Sequence, residues 1–335
     1  MSARPAPRVI LVGDFGPGQL ARSYERGFRQ AGAEVVRFPL GGKERLFGLQ
    51  LNRLTRPLLQ REIHQRRAEA LIAAATQAEP DLVFILKGEW LNADAVRELR
   101  SRTAAALANF YPDDPFSAPD VGPMLWEAFP CYDRVYVFSH SWIPRLLALG
   151  AKPAYLPFAW DPEMHPATPP QTPTCQLSFV GNWWPDREAW LEELADFDLG
   201  LWGHWEKLPW RSPLRSRVRG PAAYEGAMAE LFSRSAVTLN FIRIVANGHN
   251  MRSFEAPGAG AFLLSTRTPE LAELFEEDRE IACFDNPAEL LEKAAFYLSH
   301  PAARVRVAEA GQLRCEAEAY GVRATKILTE IGSGS

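Results

Sequence analysis

The sequence predicts an α/β protein built from two doubly wound, Rossmann-like domains that face each other across a cleft. Three observations carry this expectation. The chain has 335 residues, against roughly 100–200 for a single domain. Short apolar runs alternate with helix-period segments in both halves, which is the pattern of parallel βαβ units. Between the halves the periodicity stops at Pro157, Pro162, Pro166, Pro169, Pro170 and Pro173, and a stretch punctuated in this way reads as a linker. The expected division is an N-terminal domain over 1–165, a linker over 166–175 and a C-terminal domain over 176–331, whose last helices could pack back on the first domain.

In the first half, the apolar run 8–12 ends in Gly13-Asp14-Phe15-Gly16-Pro17-Gly18, and a helix over 19–31 follows, closed by Gly32. Strands are expected at 34–38, 81–86, 104–110 and 134–138, with helices at 63–78 and 93–101. In the second half, strand 176–180 ends in Gly181, helix 187–197 follows, and strand 199–202 precedes Gly203. Helix 222–233, strand 236–241, a helix over 251–256 and strand 261–265 continue the alternation. Thr268 caps a short helix over 269–275 with proline at its first position, where the missing N–H costs nothing. Strand 280–284 and a helix over 287–298, capped by Asp285 or Asn286, lead into terminal helices. Ligands of such sheets sit beyond the carboxyl ends of the strands.

Composition excludes several classes. Lys plus Arg number 37 against 41 Asp plus Glu, a net charge of −4, which argues against a general nucleic-acid coat. Cys131, Cys175, Cys283 and Cys315 are far apart, so neither a zinc site nor a disulfide framework is expected. No apolar run reaches the ~18 residues of a membrane span. The expected location is cytoplasmic, and no metal or cofactor is expected.

The most informative segment is Asn247-Gly248-His249-Asn250-Met251-Arg252-Ser253-Phe254-Glu255-Ala256-Pro257-Gly258, which follows a strand and opens a helix. A polar loop before a helix N-terminus offers N–H groups to an anion. Arg252 would add a bidentate phosphate contact, and Glu255 could accept hydrogen bonds from vicinal hydroxyls such as those of a ribose. The plainer reading is that Asn250 caps the helix and Arg252 pairs with Glu255 at i,i+3.

The run NMRSFEAPGAGAFLLS resembles the donor-sugar segment of GT-B glycosyltransferases, and is most similar to the CgeB-like spore-maturation group among the glycosyl transferases group 1. SFVGNWWPDR resembles the start of that family's C-terminal domain, VRGPAAYEGAMAELFSRSAVTLNF the stretch before its donor loop, and NPAELLEKAAFYLSHPAARVRVAEAG its closing helices. LVGDFGPGQLARSYERGFRQAGAEV, ANFYPDDPF and VFSHSWIPRLLALGAKPAYLPFAWDP resemble the acceptor domain and crossover.

The resemblance implies an enzyme of GT-B fold that moves a sugar from a nucleotide diphosphate sugar to a glycan, protein or small-molecule acceptor. It places Glu255 on the ribose and Arg252 on the diphosphate. It has Gly181 and Asn182 admit the donor to the first C-domain loop, with Gly220 near the base. Related retaining enzymes carry a second glutamate eight positions before the ribose one; Asn247 stands there, which leaves the stereochemical outcome open. Alternatives on the same architecture are a nucleotide-sugar 2-epimerase and a non-catalytic sugar-nucleotide-binding protein.

An inverting transfer needs a group that deprotonates the acceptor hydroxyl. Asp113 and Asp114 follow Phe110-Tyr111-Pro112 at a strand end, and Asp14 follows the first strand; His140 is a further choice. A turn is the plainer reading of Asp113-Asp114-Pro115. Among Trp183, Trp184, Trp190, Trp202, Trp205 and Trp210, the first two follow the expected donor loop and could stack on a sugar. Finally, residues 43–67 are basic and interleaved with leucines, as expected of a solvated helical face, of a peripheral membrane contact or of a segment that binds an acidic glycan.

Overall fold

The computed structural model describes residues 6–40, 59–116, 122–168, 171–242 and 248–332, and the backbone of 45–46 and 49–50. The chain divides into two compact units, Met1–Pro157 with Tyr320–Ser335, and Phe158–Ala319.

The first unit runs β1 (Arg8–Gly13), α1 (Leu20–Gln30), β2 (Glu34–Pro39), the short antiparallel pair β3 (Arg45–Leu46) and β4 (Leu49–Gln50), α2 (Gln60–Ala78), β5 (Leu82–Leu86), α3 (Ala93–Arg102), β6 (Ala106–Tyr111), α4 (Pro123–Ala128), β7 (Arg134–Val137), α5 (Ile143–Ala148) and β8 (Pro153–Tyr155). Its six-stranded sheet has the order β2-β1-β5-β6-β7-β8 and is parallel throughout. Val9 to Val12 and Val83 to Ile85 are fully buried, as central parallel strands covered on both faces must be. The register Val9↔Leu82 to Val12↔Ile85 aligns these two runs. Helices cover the sheet through Tyr24 and Phe28, whose rings lie 5.0 and 5.3 Å from Phe84. The last helix, α12 (Tyr320–Gly332), belongs to this unit. It closes on α1 at Gly27, where a Cβ would stand 2.5 Å from the Tyr320 carbonyl oxygen.

The second unit runs β9 (Cys175–Val180), α6 (Pro185–Glu192), β10 (Leu199–Trp202), β11 (Val218–Gly220), α7 (Glu225–Ser233), β12 (Ser235–Asn240), α8 (Arg252–Gly258), β13 (Leu263–Thr266), α9 (Pro269–Leu274), β14 (Ala282–Phe284), α10 (Pro287–Ser299) and α11 (Pro301–Glu316). Its sheet is also parallel, with the order β11-β10-β9-β12-β13-β14. Leu177, Phe179, Leu201, Val237, Leu239, Leu264 and Phe284 form its core with Leu290 and Ala294 of α10. Thr268 caps α9 by accepting from the Leu271 N–H at 3.1 Å. Asn286, and not Asp285, caps α10 through the Glu289 N–H at 3.0 Å.

The described residues of the stretch 166–175, expected as a linker, lie along unit 2. The N–H groups of Thr168, Gln171 and Thr174 donate to the carbonyls of Ala259, Ser233 and Arg234 at 3.2, 3.2 and 2.8 Å. Six elements were not expected from sequence: β3, β4, α4, α5, β8 and β11. Each is two to six residues long, too short for a period to register.

Candidate functional site

In unit 2 the strand order reverses between β9 and β12, the position at which doubly wound sheets bind ligands. Helix α8, which follows β12, brings Arg252 and Glu255 there. Glu255 is 6% exposed. Its Oε2 accepts from the Arg252 Nη1 at 2.8 Å. Arg252 also donates through Nη2 to the Val180 carbonyl at the end of β9 (3.0 Å), contacts the Met228 Sδ and lies over the Phe232 ring, 5.2 Å from its centroid. Burial pushes the Arg252 guanidinium below its ordinary value, and Glu255 opposes that shift.

The i,i+3 pairing is therefore present, and the guanidinium is engaged by four protein groups: the Glu255 carboxylate, the Val180 carbonyl, the Met228 Sδ and the Phe232 ring. Asn250 takes the capping role. Its Oδ1 accepts from the Ser253 N–H at 3.2 Å, and it exchanges amide hydrogen bonds with the buried Asn240 at 3.1 and 2.9 Å. Helix α8 is only seven residues long, and the Ser253, Phe254 and Glu255 N–H groups already donate to Asn250 and Met251 carbonyls at 3.0–3.1 Å. Side chains, more than the helix terminus, carry the positive charge here.

Gly181 ends β9 and donates its N–H to the Trp202 carbonyl at 2.8 Å. A Cβ at Gly181 would stand 2.6 Å from the Phe179 ring, and one at Gly220 would stand 2.8 Å from Trp202. Both glycines thus have packing reasons of their own. Asn182 is exposed, and its Oδ1 accepts from the His204 N–H at 3.3 Å. Asn247 lies outside the described residues.

Two residues near this point were missed from sequence. Arg187 of α6 donates to the carbonyls of Asn182 (2.9 Å) and Phe241 (3.2 Å), so its guanidinium bridges the chain just past β9 and β12. His165 is buried with Nε2 3.8 Å from Glu255 Oε1. An arginine beside a WWPD turn could have flagged the first; no local signal marks the second.

The acidic candidates of unit 1 follow the same topological logic. The strand order reverses between β1 and β5, and Asp14 follows β1. Asp14 is exposed and accepts from the Gly16 N–H at 2.9 Å, a local turn. Asp114 does likewise with the Phe116 N–H at 2.8 Å. Asp113 instead pairs with Lys87 Nζ at 2.7 Å. Lys87, just past β5, has φ +65°, a strained region for a non-glycine residue. Burial lowers the Lys87 pKa, but Asp113 and Glu89 outweigh it and the net shift is upward. Glu89 also accepts from the Tyr111 hydroxyl at 2.8 Å. Asp113 is therefore part of a Lys87–Glu89–Tyr111 group, whereas Asp14 and Asp114 serve turns. His140 stacks on Tyr155, 3.8 Å between centroids.

The tryptophans divide. Trp205 is buried in the core, and Trp183 and Trp190 pack against it; Trp183 donates to Glu188 at 2.7 Å. Trp184 and Trp210 are exposed. Of the basic segment 43–67, residues 43–58 lie outside the described residues apart from four backbone positions. The described part carries local pairs, Arg66 with Glu62 at 2.7 Å and Arg67 with the Leu40 carbonyl at 3.4 Å, and nothing in it supports a membrane contact. No helix among the described residues is long and apolar enough to cross a membrane.

Residues 173–329 match the family model described as glycosyl transferase-like. No curated protein matches the sequence significantly. Among solved structures, the chain is similar to sucrose-phosphate synthase from Thermosynechococcus elongatus, at 13% identity and TM-score 0.66, covering 98% of this chain and 100% of that one. It is similar to HepE of Anabaena in complex with UDP and glucose, at 12% identity, TM-score 0.65 and coverage of 98% and 100%. An α-glucosyltransferase in complex with UDP-glucose and DNA containing an abasic site gives 11% identity, TM-score 0.66 and coverage of 97% and 99%. The fold is GT-B. The finer assignment to the CgeB-like group is not among these matches.

Proposed function

We infer that this chain, a GT-B protein whose residues 173–329 match a glycosyl transferase-like model, is a glycosyltransferase that moves a sugar from a nucleotide diphosphate sugar to an acceptor. The observation that carries the reading is Glu255: a buried carboxylate held by Arg252 at the switch point of the sheet within the matched region. A carboxylate is an acceptor-only group with two oxygens, suited to the paired hydroxyls of a ribose. Gly181, Asn182 and Gly220 are assigned to the donor's surroundings, with Asn250 holding the start of α8. Arg252 orients Glu255 and, with Arg187, offsets charge that develops on the departing diphosphate.

In an inverting displacement the acceptor oxygen bonds to the anomeric carbon as the bond to the nucleotide's phosphate oxygen breaks. The acceptor proton goes to a base, for which we assign Asp113. Retention at the anomeric carbon, read by NMR of the product, would remove the need for that base.

UDP-glucose, bound by HepE and by the α-glucosyltransferase, is the first donor to test. Release of UDP in the presence of candidate acceptors separates a transferase from a binder, and conversion of the sugar alone would indicate an epimerase. Glu255→Gln should weaken donor binding roughly 10- to 150-fold in titration calorimetry, the range for losing hydrogen bonds to a charged group. Unchanged binding by a folded variant would remove Glu255 from the donor site.

A further inference from the structure

Residues read from sequence as connection are folded against the helix that carries Glu255. The Trp160 indole covers Gly258, where a Cβ would stand 2.4 Å from the ring. Its Nε1–H donates to the His165 carbonyl at 2.8 Å. Asp161 closes the intervening turn: its Oδ1 accepts from the N–H groups of Glu163 (3.1 Å) and Met164 (3.2 Å), and its carbonyl accepts from the His165 N–H at 2.9 Å. This turn sets the His165 ring against Glu255, with Nε2 3.8 Å from Oε1. His165 is 3% exposed, and its Nδ1 is buried with no hydrogen-bond partner among the described residues. Arg252 holds the other carboxylate oxygen, Oε2. Glu255 is thus faced from two sides by residues far apart in the chain.

We propose that His165 is a positioning residue for Glu255: as a neutral ring it packs beside Oε1 and leaves it open to the donor's ribose hydroxyls, and as an imidazolium it captures Oε1 and weakens donor binding. The proposal rests on the reading of Glu255 as the ribose-binding carboxylate. At 3.8 Å the neutral ring is beyond hydrogen-bond range, so Oε1 keeps its acceptor capacity for a ligand. A cation at that distance in a buried setting competes directly for it. The charged groups facing His165 are Asp161 on its own segment, Glu255 and Arg252 on α8, and Glu225 at the start of α7. Burial holds the ring's pKa below the ordinary histidine value; Arg252 acts with burial, while Glu255, Asp161 and Glu225 oppose it. The ring is therefore neutral at neutral pH. Since the unprotonated form binds donor better, affinity is full above the ordinary histidine range and falls as pH drops through the lowered value.

The test is calorimetry with UDP-glucose on wild type, His165→Gln, His165→Phe and Glu255→Gln between about pH 8 and about pH 5, a window spanning histidine titration. A nucleotide sugar is the probe because its diphosphate diester has no proton to gain in that window. At the upper end, where the ring is neutral and makes no hydrogen bond to Oε1, His165→Gln and His165→Phe, neither of which titrates, should both stay within about threefold of wild type. Toward the lower end, wild type should lose affinity that His165→Gln keeps. Parallel pH profiles for wild type and His165→Gln would overturn the role of His165; if Glu255→Gln still binds weakly, the donor site stands without it. Wild-type-like binding by Glu255→Gln would instead overturn the reading on which the proposal rests. Should His165→Phe fail to fold, the profile of His165→Gln decides alone. If wild type binds none of UDP-, GDP- and ADP-glucose, the donor reading itself falls.

Discussion

Near the switch point of each sheet stands an ion pair, and the two pairs are of nearly equal length and unequal burial. In unit 2, Arg252 and Glu255 meet at 2.8 Å with side chains 18% and 8% exposed. In unit 1, Lys87 and Asp113 meet at 2.7 Å with 51% and 53% exposed. A buried pair has lost its hydration and depends on fixed partners, so removing one member leaves an uncompensated charge. A half-exposed pair is screened by water and holds its geometry weakly. The first arrangement suits a rigid, preorganised grip on one invariant part of a ligand. The second leaves a carboxylate free to exchange its partner for a substrate hydroxyl.

The largest expected effect tests whether the exposed site does chemistry. Asp113→Asn should keep donor affinity and lose roughly 100- to 10,000-fold in turnover, the range for removing a general base, while Asp114→Asn, whose carboxylate serves a turn, should stay near wild type. Equal activity of both variants would reduce the unit 1 cluster to structure.

The next effect tests burial itself. Arg252→Met should destabilise unit 2 by about 3–5 kcal/mol, because Glu255 is left charged and buried without its partner. A melting or denaturant titration that finds less than about 1 kcal/mol would mean that water reaches the carboxylate. The smallest effect is the matching change in unit 1. Lys87→Met should alter stability by no more than about 1 kcal/mol, and its mark should appear in turnover rather than in donor binding. A stability loss as large as that of Arg252→Met would erase the contrast between the two sites.

Much of the fold was legible because the physics is local. The runs that became β1 and β5 are buried on both faces, which forces a continuous apolar stretch in any central parallel strand. Thr268-Pro269 and Asn286-Pro287 state their helix starts through capping and a fixed proline φ. The edge strands β8 and β11, three residues each and nowhere fully buried, impose no such pattern and left none. In the site, Arg252 and Glu255 could be paired on paper, because three residues apart is one helical turn.

The sequence by itself determined two alternating α/β halves, the polar segment before α8 and the acidic strand ends, since each follows from periodicity, capping or turn chemistry over a few residues. Only the tertiary structure decided that Thr168, Gln171 and Thr174 bond to unit 2, that α12 returns to unit 1 at Gly27, that Lys87 rather than a turn engages Asp113, and that His165 faces Glu255. These contacts join residues separated by 26 to about 300 positions, and no local propensity encodes them. They exist because closing a core brings distant side chains together, and burial then gives each such meeting its energy.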